Sequence, residues 1–314
     1  MSVVRAAVVQ DASVAFDPVA TLDRVAARMA EAARARAELV VFPEAFIGGY
    51  PKGIDFGARV GMRSDPGREE FERYWRGAIE VPGPVTERLG ELAGEFGTYL
   101  VIGTIERDGG TLYCTVLYFS SEGALLGRHR KVMPTAMERI IWGFGDGSTL
   151  QVLDTPLGKL GAVICWENYM PLLRTAMYAQ GVELYCAPTV DDRELWTSSM
   201  RHIAREGRCF VLSACQFARR KDYPADYHPI QGDDPETVLI RGGSSIIDPM
   251  GTVLAGPSYG EAGVLVADLD LGLIPRGKYD FDPVGHYARP DLFSLRVNTA
   301  VQAPVRFDGT GGPP

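Results

Sequence analysis

The chain of 314 residues is 46% hydrophobic and 23% charged, enough apolar content to bury a large core and unlike the composition of a disordered polymer. Its formal net charge of −8, from 32 Lys and Arg against 40 Asp and Glu, leaves no basic footprint for a phosphate backbone or an anionic lipid surface, which argues against nucleic acid as a partner. No apolar run approaches the roughly 20 residues that cross a bilayer, and the first ten residues enter a strand-like run and then Asp11 instead of a signal-type apolar region. A cytoplasmic protein with no membrane partner is expected.

No linker, charge block or low-complexity stretch divides the middle of the chain, so one domain is expected over residues 1–300, with a loose tail from Val301 to Pro314. Short β-rich runs alternate with helical segments, the pattern of an α/β fold. In order these are Val4–Gln10, a helix near Pro18–Arg36, Leu39–Phe42, a helix near Val85–Phe96, Leu100–Glu106 and Thr111–Phe119. They continue with Lys159–Ile164, a helix near Pro171–Gln180, Leu184–Ala187, a helix near Trp196–Arg205, Phe210–Ala214, Gly243–Ile247 and Val264–Asp268. The halves resemble each other most where Leu117–Gly127 matches Ile246–Gly256, each a strand, a turn ending in glycine (Gly123, Gly251) and a second apolar run. Two such halves predict two packed sheets flanked by helices. The glycine-rich stretches Gly143–Gly147 and Arg241–Ser245 lack dinucleotide or P-loop spacing and are read as loops.

Three residues at strand ends draw attention. Glu44 follows the apolar run Leu39–Pro43 and lies among Phe42, Ala45 and Phe46; poor hydration would raise its pKa and suit it to general-base work, although an exposed loop acid is the plain alternative. Lys131 ends the basic cluster Arg128-His129-Arg130-Lys131. Strand alternation puts Lys131 and His129 on one face and the two arginines on the other, so the lysine can point inward and stabilise negative charge. Cys165 ends the small and branched strand Leu160–Ile164 just before a helix, the setting of a nucleophile elbow, where a nearby cation would lower the thiol pKa. The odd total of five cysteines leaves Cys114, Cys186, Cys209 and Cys215 as reduced core thiols. None of His129, His202, His228 and His286 has a context that orients an imidazole, and their spacing offers no metal site.

At these three places the sequence resembles the nitrilase superfamily, which uses a Glu–Lys–Cys triad. The likeness extends through His129–Arg139, Trp142–Ser148, Ile164–Asn168, Leu184–Thr189, Cys209–Phe217 and Val284–Pro290, and is strongest toward plant-type nitrilases. The resemblance implies a four-layer α-β-β-α sandwich, Glu44 as base, Lys131 as cation, Cys165 as nucleophile and Glu138 as an additional active-site glutamate. It also implies a homo-oligomer of dimers that stack into spirals. Tyr169 stands where the plant-type pattern has Arg, and Asp222–Glu236 is shorter and poorly matched, so substrate preference is left open. Tyr50 and Lys52, Trp166, Thr189 and Asp191, and Trp196 lie beside the catalytic strand ends as expected pocket walls, with a place in the core the equal alternative for the aromatics.

The implied reaction is hydrolysis of a small organic nitrile to acid and ammonia through a Cys165 thioimidate and thioester, with some amide product and no cofactor. An amidase using the same residues is the nearest alternative. A non-catalytic assembly or binding protein that keeps the fold is a more distant one.

Overall fold

A computed structural model describes residues 3–305. Its first half runs β1 (Val3–Gln10), α1 (Pro18–Arg34), β2 (Leu39–Val41), the small hairpin β3 (Ala58–Arg59) and β4 (Met62–Arg63), α2 (Asp65–Arg76), α3 (Pro84–Phe96), β5 (Tyr99–Asp108), β6 (Thr111–Phe119) and β7 (Leu125–Arg130). The second half runs α4 (Glu138–Ile141), β8 (Val152–Thr155), β9 (Gly158–Ala162), α5 (Pro171–Ala179), β10 (Leu184–Cys186), α6 (Glu194–Gly207), β11 (Phe210–Ser213), β12 (Phe217–Arg219), β13 (Val238–Ile247), β14 (Val253–Tyr259), β15 (Gly263–Asp270) and α7 (Leu273–Asp280).

The strands form two large sheets, ordered β15-β1-β2-β5-β6-β7 and β12-β13-β11-β10-β9-β8, with β14 on β13. Central strands are apolar at successive positions because both faces are covered. In β2 and its extension, Leu39 and Val41 face the other sheet with Val101, Leu184 and Leu212, while Val40 and Phe42 pack outward with Val25 and Met29 of α1 and Leu89 of α3. On the second sheet Tyr185 and Val211 pack outward against Met177 of α5 and Met200 and Ile203 of α6. The result is the α-β-β-α sandwich. Asp17 and Ser64 cap α1 and α2 by accepting from Ala20 N at 2.9 Å and Gly67 N at 3.2 Å, contacts worth about 1 kcal/mol each.

Both matching segments are antiparallel hairpins, β6–β7 and β13–β14. Gly123 and Gly251 take φ of +90° and +86° at their turns, a region that disfavours side chains. The halves are not self-contained, because β15 crosses over to pair antiparallel with β1 along its whole length.

The Arg241–Ser245 stretch is strand, not loop: it lies inside β13. Gly242 and Gly243 have φ of +92° and +117°, and the Gln10 side chain accepts from Gly243 N and Ser244 N, both at 2.9 Å. A Cβ on Gly242 would meet Gln10 Nε2 at 2.5 Å, so the glycines serve close inter-sheet approach. Gly143–Gly147 is loop up to a 3-10 turn at Gly147–Thr149. Residues 301–305 have no regular structure, although Gln302 N donates to Asp146 Oδ2 at 2.7 Å; the rest of the expected tail lies outside the described residues.

Candidate active site

Glu44 follows β2 on a turn in which Ala45 adopts φ +50°. That turn lies directly over β5. A Cβ on Gly103 would stand 2.3 Å from Pro43 O and 2.6 Å from Glu44 Cα, so only glycine lets the turn approach this closely. From the other sheet, Gln216 Nε2 donates to Glu44 O at 2.7 Å.

Lys131 leaves the end of β7, its amide donating to Cys114 O at 2.8 Å. Alternation works as expected for the inward face, where His129 and Lys131 are both buried. The arginines on the other face are half-buried and paired: Arg128 and Arg130 grip buried Glu106 at 2.5 and 2.6 Å. Lys131 Nζ donates to Glu44 Oε1 at 2.6 Å and to Glu138 Oε2 at 2.8 Å, and lies 5.3 Å from the centre of the Trp142 ring. Glu138, which could pass for a surface residue, is buried at the start of α4 and also accepts from Tyr50 Oη at 2.8 Å and Thr135 N at 2.6 Å.

Cys165 opens a 3-10 turn (Cys165–Tyr169) after β9, with φ +47°. A non-glycine residue in this region is held there by its surroundings. Its amide donates to Pro188 O at 2.9 Å, and its sulfur accepts from Thr189 Oγ1 at 3.2 Å. Trp166, next in the turn, lines the same pocket as Cys165.

Burial is the largest influence on the protonation of all three groups. The Glu44 carboxyl is pushed up by burial and by Glu138, more than Lys131 pulls it down. Burial alone would lower Lys131, but Glu44, Cys165 and Glu138 hold it well above its ordinary value. The Cys165 thiol is also pushed up, first by burial and then by Glu44, with Lys131 opposing. Lys131 does pull the thiol down, as expected of a nearby cation, but burial and Glu44 outweigh it. Glu44 Oε2 is buried without a hydrogen-bond partner among the described residues, whereas Oε1 receives Lys131 and, at 3.5 Å, the Cys114 thiol. Cys114 is the buried core thiol expected of it, and it also borders the site.

A pocket of about 300 Å³ contains Cys165 and Glu138, with Tyr50, Lys52, Trp166, Asp191 and Arg193 also lining it. Trp166 Nε1 donates to Asp191 Oδ2 at 2.8 Å, Arg193 pairs with the same carboxylate, and the guanidinium lies 4.9 Å from the indole ring. Burial alone would raise Asp191, but the hydrogen bonds from Arg193 and Trp166 hold it below the usual range. Thr189 stands behind the sulfur. Trp196 is not a pocket wall: it is 1% exposed, packs in the outer core of the second sheet and donates to Ser213 Oγ at 2.8 Å.

Contrary to the sequence expectation, the buried His129 has an orienting partner. His129 Nε2 lies 3.0 Å from Glu167 Oε2, both side chains buried. His202 and His228 are exposed, meeting Glu206 at 3.5 Å and Asp233 at 2.9 Å. Among the described residues no group of three or more His, Cys, Asp or Glu side chains is placed to hold a metal ion, and no helix is long and apolar enough to cross a membrane.

A buried thiol, a buried carboxylate and an ammonium, gathered at strand ends between two sheets, form a site suited to covalent attack on an electrophilic carbon. Residues 5–279 match the family described as carbon-nitrogen hydrolase, and the chain belongs to that family. It is 59% identical to a bifunctional nitrilase/nitrile hydratase of Nicotiana tabacum over 98% of this chain and 89% of that protein. It is 58% identical to an aliphatic nitrilase of Sinorhizobium fredii over 97% of this chain and 99% of that one, and 56% identical to Nitrilase 2 of Arabidopsis thaliana over 98% and 92%. Among solved structures the C. elegans NitFhit protein superposes with a TM-score of 0.75 at 21% identity, covering 97% of this chain and 69% of that one, a likeness of fold alone.

Proposed function

We propose that the protein is a nitrilase in which Cys165 is the nucleophile, Glu44 the general base, Lys131 the electrostatic stabiliser and Glu138 the residue that orients Lys131 and substrate. The observation that carries this reading is the Lys131 ammonium bridging Glu44 and Glu138, with Glu44 Oε2 without a hydrogen-bond partner among the described residues. Glu44 takes the thiol proton as sulfur attacks the nitrile carbon, and that proton passes to nitrogen, giving a thioimidate. Water, deprotonated by Glu44, adds to form a tetrahedral species bearing hydroxyl, amino and thioether groups. Loss of ammonia leaves a thioester, which a second water hydrolyses to the carboxylic acid. Lys131 and the Trp166 amide stabilise the charge that develops.

Choice of a nitrile over an amide substrate is supported by the 56–59% identity to proteins named as nitrilases. The relative named as both nitrilase and nitrile hydratase supports a fraction of amide product, formed when the tetrahedral species expels sulfur instead of nitrogen. Thr189 holds the sulfur, while Tyr50 and Trp166 bound the substrate. We further propose one catalytic domain over residues 1–300, a cytoplasmic location and a homo-oligomeric assembly. The test is ammonia release from matched nitriles and amides, with acid and amide products both quantified. Turnover of nitriles is expected; turnover of amides alone identifies an amidase instead, and turnover of neither supports a non-catalytic protein.

A further inference from the structure

The reacting groups hang from different sheets: Glu44 and Lys131 follow β2 and β7 of the first, Cys165 follows β9 of the second. Their separation must be fixed, because a displacement of about 1 Å costs about a hundredfold in rate. Glu167, with no exposed surface, spans this gap. Its Oε1 accepts from Val132 N at 2.5 Å, the residue directly after Lys131. Its Oε2 accepts from Ile164 N at 2.8 Å, the residue directly before Cys165.

His129 completes the arrangement from the strand that delivers Lys131, with Nε2 3.0 Å from Glu167 Oε2. Its Nδ1 lies 3.4 Å from Thr149 Oγ1, which already accepts from Arg130 N at 3.2 Å. The threonine hydrogen is therefore available to Nδ1, and the tautomer that satisfies the network carries its proton on Nε2 and donates it to Glu167. Three donors from both sides of the site converge on one carboxylate.

We propose that Glu167, supported by His129, is a positioning residue that sets Glu44 and Lys131 against Cys165 and thereby the division between acid and amide product. The proposal rests on the nitrilase reading above. In the tetrahedral species, loss of ammonia breaks the carbon–nitrogen bond after the hydroxyl proton has been passed to nitrogen through Glu44 of the first sheet; a thioester remains. Loss of Cys165 breaks the carbon–sulfur bond, the electron pair leaving on sulfur, which then takes the hydroxyl proton as the amide departs. Only the first exit needs a first-sheet group to deliver a proton to nitrogen before the bond breaks. Loosening the link between the sheets slows ammonia loss more than sulfur loss, and the amide fraction rises.

Glu167→Gln keeps the volume, but its NH2 must oppose one of the two amides. In the full chain, kcat is expected to fall about tenfold to a hundredfold, with KM within about threefold of wild type and the amide fraction raised about threefold or more. Mass spectrometry is expected to find Cys165 still forming its covalent adduct. His129→Gln, which leaves both amide links in place, is expected to shift the amide fraction the same way by less. A folded Glu167→Gln protein with the wild-type amide fraction overturns the proposal, whatever its kcat. If that variant does not fold, the folded His129→Gln protein decides: a raised amide fraction supports the role and an unchanged one overturns it. A wild-type protein that yields neither acid nor amide from nitriles rejects the nitrilase reading instead.

Discussion

Lys131 Nζ lies 2.6 Å from Glu44 Oε1 with both side chains fully out of water, and the same ammonium reaches Glu138. Buried charges are tolerated when paired, and removal of one partner leaves the others uncompensated. Lys131→Met leaves two carboxylates facing each other in the pocket floor. The variant is expected to lose about 3–5 kcal/mol of stability along with its nitrile turnover, checked by urea unfolding and ammonia release. A fully stable, active variant would contradict the pairing.

The raised Glu44 carboxyl fixes the acid side of the activity profile. The base works when ionised, and burial makes ionisation harder than for an ordinary glutamate near 4.3, a roughly typical value. Activity is therefore expected to fall with decreasing pH from a midpoint above that value. Because the Cys165 thiol is also pushed up, iodoacetamide is expected to label it more slowly than a free cysteine at neutral pH. The profile of kcat/KM and the labelling rate check the two halves of this statement.

Gly103 is a backbone control on Glu44. Its substitution by alanine puts a methyl group against Pro43 O, Glu44 Cα and Ala45 N, all main-chain atoms within 2.7 Å. The turn has to move. Overpacking of this kind costs about 1–3 kcal/mol, whereas displacement of the base is expected to lower kcat/KM about a hundredfold. Thermal unfolding and kinetics on Gly103→Ala separate the two effects.

Asp191 ties the Trp166 wall to Arg193 in the pocket lining. Its carboxyl sits below the usual range, so it remains ionised as pH falls into the mildly acidic region and the wall stays anchored there. Asp191→Ala is expected to raise KM about fivefold to tenfold while kcat changes less, because the wall shapes binding and not the bonds that change. A fall in kcat at constant KM would place Asp191 closer to the chemistry.

Much of the arrangement is legible in local pattern. Alternation along Arg128–Lys131 foretells the inward lysine, and the glycine-ended turns at Gly123 and Gly251 foretell both hairpins. Helix α2 is less visible because most of its residues are charged or polar, yet the Ser64 cap and Pro66 mark its start. What local pattern does not carry is partnership across the sheets. Glu167 meets His129 and Val132 only after the sandwich closes, and Gln10 reaches Gly243 in the same way. Trp196 follows a catalytic strand end, but its helical face turns it into the core. The thiol pKa depends on how completely the fold buries Cys165, and a cation counted from sequence does not reveal that.

Replacement of the nucleophile is the most direct test. Wild type and Cys165→Ala, both verified as folded, are incubated with the same nitrile, and ammonia, acid and amide are measured over time. The account predicts steady release from wild type and none above the uncatalysed background from the variant. Ammonia or amide formed by Cys165→Ala at a rate comparable to wild type would contradict it.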